Sequence, residues 1–274
     1  MKCFLLMRRL AVFFVLCAPA FAQLLPTGAG QPTNVTSAIP TCAGVTTSST
    51  LVAHYDGSGL ATGTTNSYGV VDGSGNVSQW NDLSGNGNNA TATSKPTLNI
   101  AAANGLNTVQ FMAASSQYFT LTSTISTTVP FTMVSVVRHG GPTGTANIVE
   151  FGNSTTSGSN PYSTLWYTNS TVYTAGTTYG VQTTGTQADT ASYHLITTVP
   201  SGGGFIRFDR SALGVTGGGL SVNAGFTVLG RFYIAGANSY ANGNMAELCF
   251  YSSALSSTDY TAVENALRTK WGTP

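Results

Sequence analysis

An all-β domain, sandwich or barrel, closed by a single C-terminal helix is the fold this sequence predicts, and three observations predict it. First, short runs of β-branched, aromatic and apolar residues recur from Leu51 to Tyr251, separated by Gly, Ser, Asn and Pro turns, with no interleaved helical periodicity. Second, the stretch NVSQWNDLSGNGNNA (76–90) sets one large aromatic, Trp80, ahead of a run dense in Asn, Asp, Ser and Gly. Such side chains bond their own backbone, which predicts a self-bonded loop over 81–89 held against a core by Trp80, with Asp82 as the Asx-turn residue that shapes it. Third, a helical period appears only after Leu255.

In chain order, Lys2, Arg8 and Arg9 stand near the apolar run Leu10–Cys17 and an Ala20-Phe21-Ala22 site. This is the pattern of a secretory signal peptide over residues 1–22, and it predicts a secreted protein, extracellular or at the cell surface. No later stretch approaches the ~20 apolar residues of a membrane helix, so no membrane insertion is expected. Residues 23–50, rich in Thr, Ser, Pro and Gly, read as a leader or linker. The domain is expected over 51–274.

Its first element is LVAHYD (51–56), and Asp72-Gly-Ser-Gly-Asn76 is a tight turn. Strands are expected at Val109–Phe111, Tyr118–Leu121, Phe131–Arg138, Ile148–Phe151, Ser163–Thr168, Thr171–Ala175 and Tyr179–Thr184. Further strands follow at His194–Val199, Phe205–Asp209, Leu213–Thr216, Thr227–Ile234 and Met245–Tyr251. Phe131–Arg138 is apolar enough to be central. The helix is expected over 256–271. Ser256 and Asp259 form a capping-box-like pair, Tyr260, Val263, Leu267 and Trp271 make one apolar stripe, and Gly272 ends it. Glu264 and Arg268 are spaced to pair at i,i+4, and Lys270 suits the negative end. Trp80 and Trp271 read as core anchors.

Charge excludes some functions. Only 7% of residues are charged, against about 25% in an average domain. Losing Lys2, Arg8 and Arg9 takes the 10 basic residues to seven against 9 acidic ones, a net charge of −2. Nucleic acid and anionic membranes are poor partners for such a surface.

Two cysteines, Cys42 and Cys249, remain after the signal peptide. Strand alternation puts Glu247 and Cys249 on one face of Met245–Tyr251 and Leu248 and Phe250 on the other. Glu247 marks its face as the wetter one, within reach of an arm carrying Cys42. A Cys42–Cys249 disulfide and two unpaired thiols are the alternatives, since two cysteines alone carry no geometry.

The segment VSQWNDLSGNGNNATATSKPTL with Asn104-Gly105-Leu106 and Val109–Phe111, together with Gly243–Gly272, resembles the two ends of concanavalin A-like lectin/glucanase domains of the laminin-G-like type. The resemblance implies a jelly-roll β-sandwich of two antiparallel sheets, with Phe205–Asp209 and Leu213 in a hairpin turning at Asp209–Ala212. It also implies a secreted module that binds carbohydrate or protein, or a glycanase on the same fold.

Residue chemistry was set beside that implication. The glucanase pattern Glu-x-Asp-x-x-Glu is absent, as are G-x-S-x-G, H-E-x-x-H and C-x-x-C, so no catalytic residue is assigned. His54, His139 and His194 are too dispersed to suggest a metal cluster. Asp56, Asp72 and Asp82 lie in loops that could offer oxygen ligands to calcium but lack the dense Asp/Asn spacing of a dedicated site; no cofactor or metal is assigned. For a sugar ligand, the aromatic run Tyr162, Trp166, Tyr173 and Tyr179 and the polar loop with Asn238 and Tyr240 supply rings to stack on and amides to bond. The alternative is that these aromatics fill the core or pair across strands. The expected function is thus non-catalytic binding of a glycan or surface-protein ligand. The alternatives are a structural or adhesive role without sugar specificity, and a glycan-active hydrolase.

Overall fold

A computed structural model describes residues 42, 50–127, 130–140, 151–152, 163–168, 171–175, 182–183, 191–199, 204–213, 215–216, 224–234 and 237–274. All of them belong to one compact unit, Ile39–Pro274. Met1–Ala38, with the expected signal peptide, lies outside them.

Among the described residues two antiparallel sheets enclose the main core, a β-sandwich with one C-terminal helix. The first sheet has eight strands. At its centre Gly243–Tyr251 pairs with Thr132–His139 on one side. On the other side its first residues pair with Leu106–Phe111 and its later ones with Leu51–Asp56. The second sheet has eleven strands, from Val215–Thr216 at one edge to Thr64–Asn66 at the other, with Phe119–Thr127 and Ala224–Leu229 paired inside it.

Gly243–Tyr251 is buried along its whole length because both of its faces are covered. Met245, Leu248 and Phe250 face the core between the sheets, where Phe250 stacks on Phe131 at 5.0 Å. Ala246, Cys249 and Tyr251 face a second core with Val263, Leu267 and Trp271 of the helix. Glu247 is 0% exposed, so the face it shares with Cys249 is dry. The reading of that face as the wetter one is corrected: the docked helix covers it. Cys42 is bonded to Cys249, and Tyr251 Oη donates to the Cys42 carbonyl at 2.7 Å. The covalent tie fixes Cys42 against this face.

Trp80 ends the strand Val77–Trp80 and is fully buried, 5.6 Å from the Tyr55 ring and 6.1 Å from Phe119. Truncating such a residue to Ala costs about 3–5 kcal/mol. The 81–89 loop is self-bonded through Asp82, which accepts from the N–H groups of Ser84 and Asn88. It is also a latch, which the local pattern did not show. Asp82 accepts from His54 N, and the Asn86 and Asn88 amides donate to Val52 O. These bonds occupy backbone groups of the first strand that would otherwise lie open at a sheet edge.

Helix Ser257–Trp271 follows its local signals. Ser256 caps it by accepting from Asp259 N, and Gly272, at φ 66°, donates its N–H to Arg268 O. One expected helix interaction is different: Glu264 is fully buried and bonds Arg207, not Arg268. Lys270 lies in the last turn as expected and also bridges Asp56 and Glu247, 2.6 and 2.7 Å away. Both side chains point into the sheet, where a paired charge outweighs a solvated surface pair.

Several strand limits also move, the expected Leu213–Thr216 strand among them: Ser211–Ala212 and Val215–Thr216 are strands and Leu213 is in neither. The expected Thr227–Ile234 strand is broken at Gly230 into Ala224–Leu229 and Arg231–Ile234. Phe205–Phe208 stops short of Asp209, which with Arg210 has positive φ, making the two-residue turn to Ser211–Ala212. Of the expected Ile148–Phe151 strand, Ile148–Glu150 lie outside the described residues, and Phe151–Gly152 is a strand.

Candidate functional site

Among the described residues are two kinds of polar cluster, one sealed beneath the helix and one open at a hairpin. The sealed one is built around Glu247. Its Oε1 lies 2.8 Å from His54 Nε2, and its Oε2 accepts from Lys270 Nζ and Trp271 Nε1, both at 2.7 Å. Burial pushes this carboxyl up, but the His54 hydrogen bond and the Lys270 charge outweigh it and hold the group below the ordinary carboxylate value. Burial likewise pulls Lys270 down, while Glu247 and Asp56 more than offset it and keep the ammonium charged. The ligand atoms of Cys42, His54, Glu247 and Cys249 lie within 4.8 Å of one another. The two sulfurs are joined, however, and it is the thiolate that ligates a metal.

The remaining described carboxylates also have structural partners. Glu264 accepts from Thr197 Oγ1 at 2.7 Å and from Arg207 Nε and Nη2 at 2.8 and 3.2 Å. Asp209 meets His194 Nδ1 at 2.8 Å and accepts from Leu195 N. Asp56 accepts from Ser58 N and Lys270 Nζ. Asp72 closes its turn by accepting from Ser74 and Asn76, whose hydrogen bonds hold its carboxyl below the usual range. Asp259 accepts from Ser256 Oγ. Glycoside hydrolysis needs two carboxyl groups facing a bound sugar. Each described carboxylate is instead spent on a turn, a cap or an ion pair.

The open cluster begins at Gly230. At φ +80° a Cβ there would lie 2.5 Å from the Phe111 ring, so glycine alone lets the chain pass Phe111 and leave the sheet. The Ala241 N–H donates to Gly230 O at 2.8 Å, closing the base of the hairpin Arg231–Ile234/Ala237–Tyr240. Its register sets Arg231 opposite Tyr240 and Tyr233 opposite Asn238. A second segment approaches from the side. The buried Gln117 amide accepts from Met112 N and donates to Lys95 O, pinning the chain just ahead of Tyr118. Phe119 then enters the core beside Trp80.

The result is a three-residue stack. The Arg231 guanidinium lies 4.0 Å over the Tyr118 ring, and the Tyr118 and Tyr240 rings are 6.0 Å apart at 45°. All three side chains are half-buried, and Asn238 is exposed beside them. Arg231 Nε is buried and has no hydrogen-bond partner among the described residues. Chemically this surface offers aromatic faces, an amide and a cation.

Of the aromatic and amide residues expected to bind ligand, Asn238 and Tyr240 belong to this cluster. Trp166 and Tyr173 are direct partners across the strands Ser163–Thr168 and Thr171–Ala175. Tyr162 and Tyr179 lie outside the described residues. Sequence reasoning missed Tyr118 and Arg231. The signal for Arg231 was the Leu229-Gly230-Arg231 break followed by a turn at Ala235-Gly236, which places it across from Tyr240 in a hairpin.

No family model matches the chain, and no curated relative does. Solved structures are similar to it at low identity. A Trypanosoma rangeli sialidase in complex with a difluorinated keto-deoxy-nononic acid has a TM-score of 0.49 at 12% identity over 81% of this chain. The chain spans about a third of that enzyme's length, 33%. Domain 4 of an extracellular GH43 arabinanase from Geobacillus stearothermophilus, in complex with arabinotriose, matches with a TM-score of 0.43 and 13% identity, covering 80% of this chain and 98% of that domain. The binding domain of Paraclostridial Mosquitocidal Protein 1 matches with a TM-score of 0.45 and 13% identity, over 71% of this chain and 52% of its own.

Proposed function

We propose that this protein is a secreted, non-catalytic, lectin-like module of the laminin-G-like jelly-roll type, and that it binds glycan at the Tyr118–Arg231–Tyr240 hairpin. The observation that carries this reading is the pair of half-exposed tyrosine rings with an exposed amide alongside, held on rigid backbone by Gly230 and Gln117. Sugar rings present C–H faces to such aromatics and hydroxyls to amides. The engagement of every described carboxylate by a structural partner supports a binding role over a hydrolytic one. Among the described residues no helix is long and apolar enough to cross a membrane.

A second reading, a structural or adhesive surface protein, is favoured by the outer face of the second sheet. There Thr65, Val70, Gln79, Thr91 and Thr120 lie side by side in register, a flat row of mostly polar side chains. Binding of the exported chain to a broad glycan panel separates the two. A saturable ligand lost on Tyr240→Ala and kept on Trp166→Ala supports the hairpin site. Loss on Trp166→Ala alone moves the site to the other strand pair, and no binding anywhere on the panel favours the structural role.

A further inference from the structure

Resting on the glycan-binding reading, we infer that the ligand of the hairpin site is acidic: a polysaccharide bearing carboxylates, such as a polyuronate, received by Arg231. The inference starts from how this chain treats its other cations. Seven basic residues follow the expected signal peptide in a sequence only 7% charged. Four of them are answered inside the protein. Lys95 meets Asp72, Arg138 donates to Asn244 Oδ1, Arg207 holds Glu264 through two nitrogens, and Lys270 lies between Asp56 and Glu247. Arg210 and Arg268 have no aromatic ring beneath them among the described residues.

Arg231 differs from both groups. Its guanidinium carbon lies 4.0 Å over the Tyr118 ring, and a second ring, Tyr240, stands directly across the hairpin; Nε is buried and unbonded, as Arg210 Nε also is, so a ligand would meet the terminal nitrogens. Among the described residues three arginines lie over tyrosines. Arg138 over Tyr193 and Arg207 over Tyr260 each have an acceptor for the guanidinium, and Arg231 over Tyr118 has none among the described residues. A guanidinium held over a ring presents its two terminal nitrogens as a fork suited to a carboxylate, as Arg207 presents Nε and Nη2 to Glu264. An arginine over a ring with no anion among the described residues, beside the half-buried Tyr240 ring, matches one repeat unit of a polyuronate.

The test compares polygalacturonate with its fully methyl-esterified form, which keeps the backbone and removes the charge, by calorimetry at fixed ionic strength on the exported chain and its variants. The chain is itself net negative, so general electrostatics works against the polyanion. The expected result is affinity for the acid about tenfold or more above the ester, a preference that vanishes in Arg231→Gln and is kept in part in Arg231→Lys. Thermal melts of both variants report that the fold is intact, and the wild-type acid-to-ester ratio decides without any variant. Equal affinity for acid and ester, lost on Tyr240→Ala, overturns the acidic-ligand inference and leaves the glycan-binding reading standing. An acid preference that persists in Arg231→Gln overturns the assignment to this site. Binding of neither polymer, with no hit on the neutral panel, overturns both.

Discussion

Arg207 and Arg231 are built alike and finished differently. Each guanidinium lies over a tyrosine ring, 4.9 Å over Tyr260 and 4.0 Å over Tyr118. Arg207 is closed by Glu264, a fully buried helix residue that also takes a hydrogen bond from Thr197. That arginine joins the helix to the sheet. Glu264 holds the Arg207 guanidinium above its ordinary pKa, through a hydrogen bond first and charge second. Arg231 sits on a two-stranded hairpin with no acid against it among the described residues. The lesson is that a stacked arginine by itself says nothing about function, and what answers its N–H groups does.

The comparison can be broken from the closed side first. Glu247→Ala strips the acceptor from Lys270, Trp271 and His54 at once and is expected to cost about 3–5 kcal/mol, read as a lowered urea midpoint. Glu264→Ala turns Arg207 into a second unanswered arginine. Because Arg207 keeps some solvent, the expected cost is smaller, about 2–4 kcal/mol, with the helix end nearest Tyr260 losing hydrogen-exchange protection first.

The pH dependence follows from the same pairing. Glu247 titrates below its ordinary value of 4.5, so its contribution is present above that pH and lost as pH falls through the folded value. Lys270 titrates above 10.5, so its contribution is present below that pH and lost as pH rises through the folded value. Between these limits the cluster contributes fully. Urea midpoints measured from about pH 7 down to about pH 3 should fall less steeply in Glu247→Gln than in the parent. Equal slopes would mean that Glu247 carries none of the acid sensitivity. The smallest expected effect on stability is Arg231→Gln, within about 1 kcal/mol of the parent, because the contact with the Tyr118 ring is lost but no ion-pair partner is stranded.

What was legible in the sequence was local. The Ser256 cap, the Gly272 terminus, the Asp72 turn and the Val263-Leu267-Trp271 stripe are each set by residues within a few positions, and the structure has each of them. Trp80 was legible for a related reason, since one large ring before a polar loop has few places to go except inward. The partners of the charged residues were not legible. Glu264 meets Arg207 from 57 positions away and Lys270 meets Asp56 from 214, and helix periodicity suggests only the nearby Arg268. Two-residue alternation grouped Glu247 with Cys249 correctly, but alternation does not say which face a later helix covers. Two residues of the proposed site, Asn238 and Tyr240, were among the expectations from the sequence. Tyr118 reaches the hairpin only through the pairing of strands far apart in the chain.

The most direct measurement is a paired one: urea stability and polygalacturonate affinity for Arg207→Gln and Arg231→Gln, side by side with the parent. The account predicts crossed losses. Arg207→Gln lowers the urea midpoint and keeps the parent's affinity, whereas Arg231→Gln keeps the midpoint and loses the preference for the acid form over its methyl ester. If Arg231→Gln unfolded as readily as Arg207→Gln, or bound the acid polymer as the parent does, the distinction between a closed structural arginine and an open binding one would be contradicted.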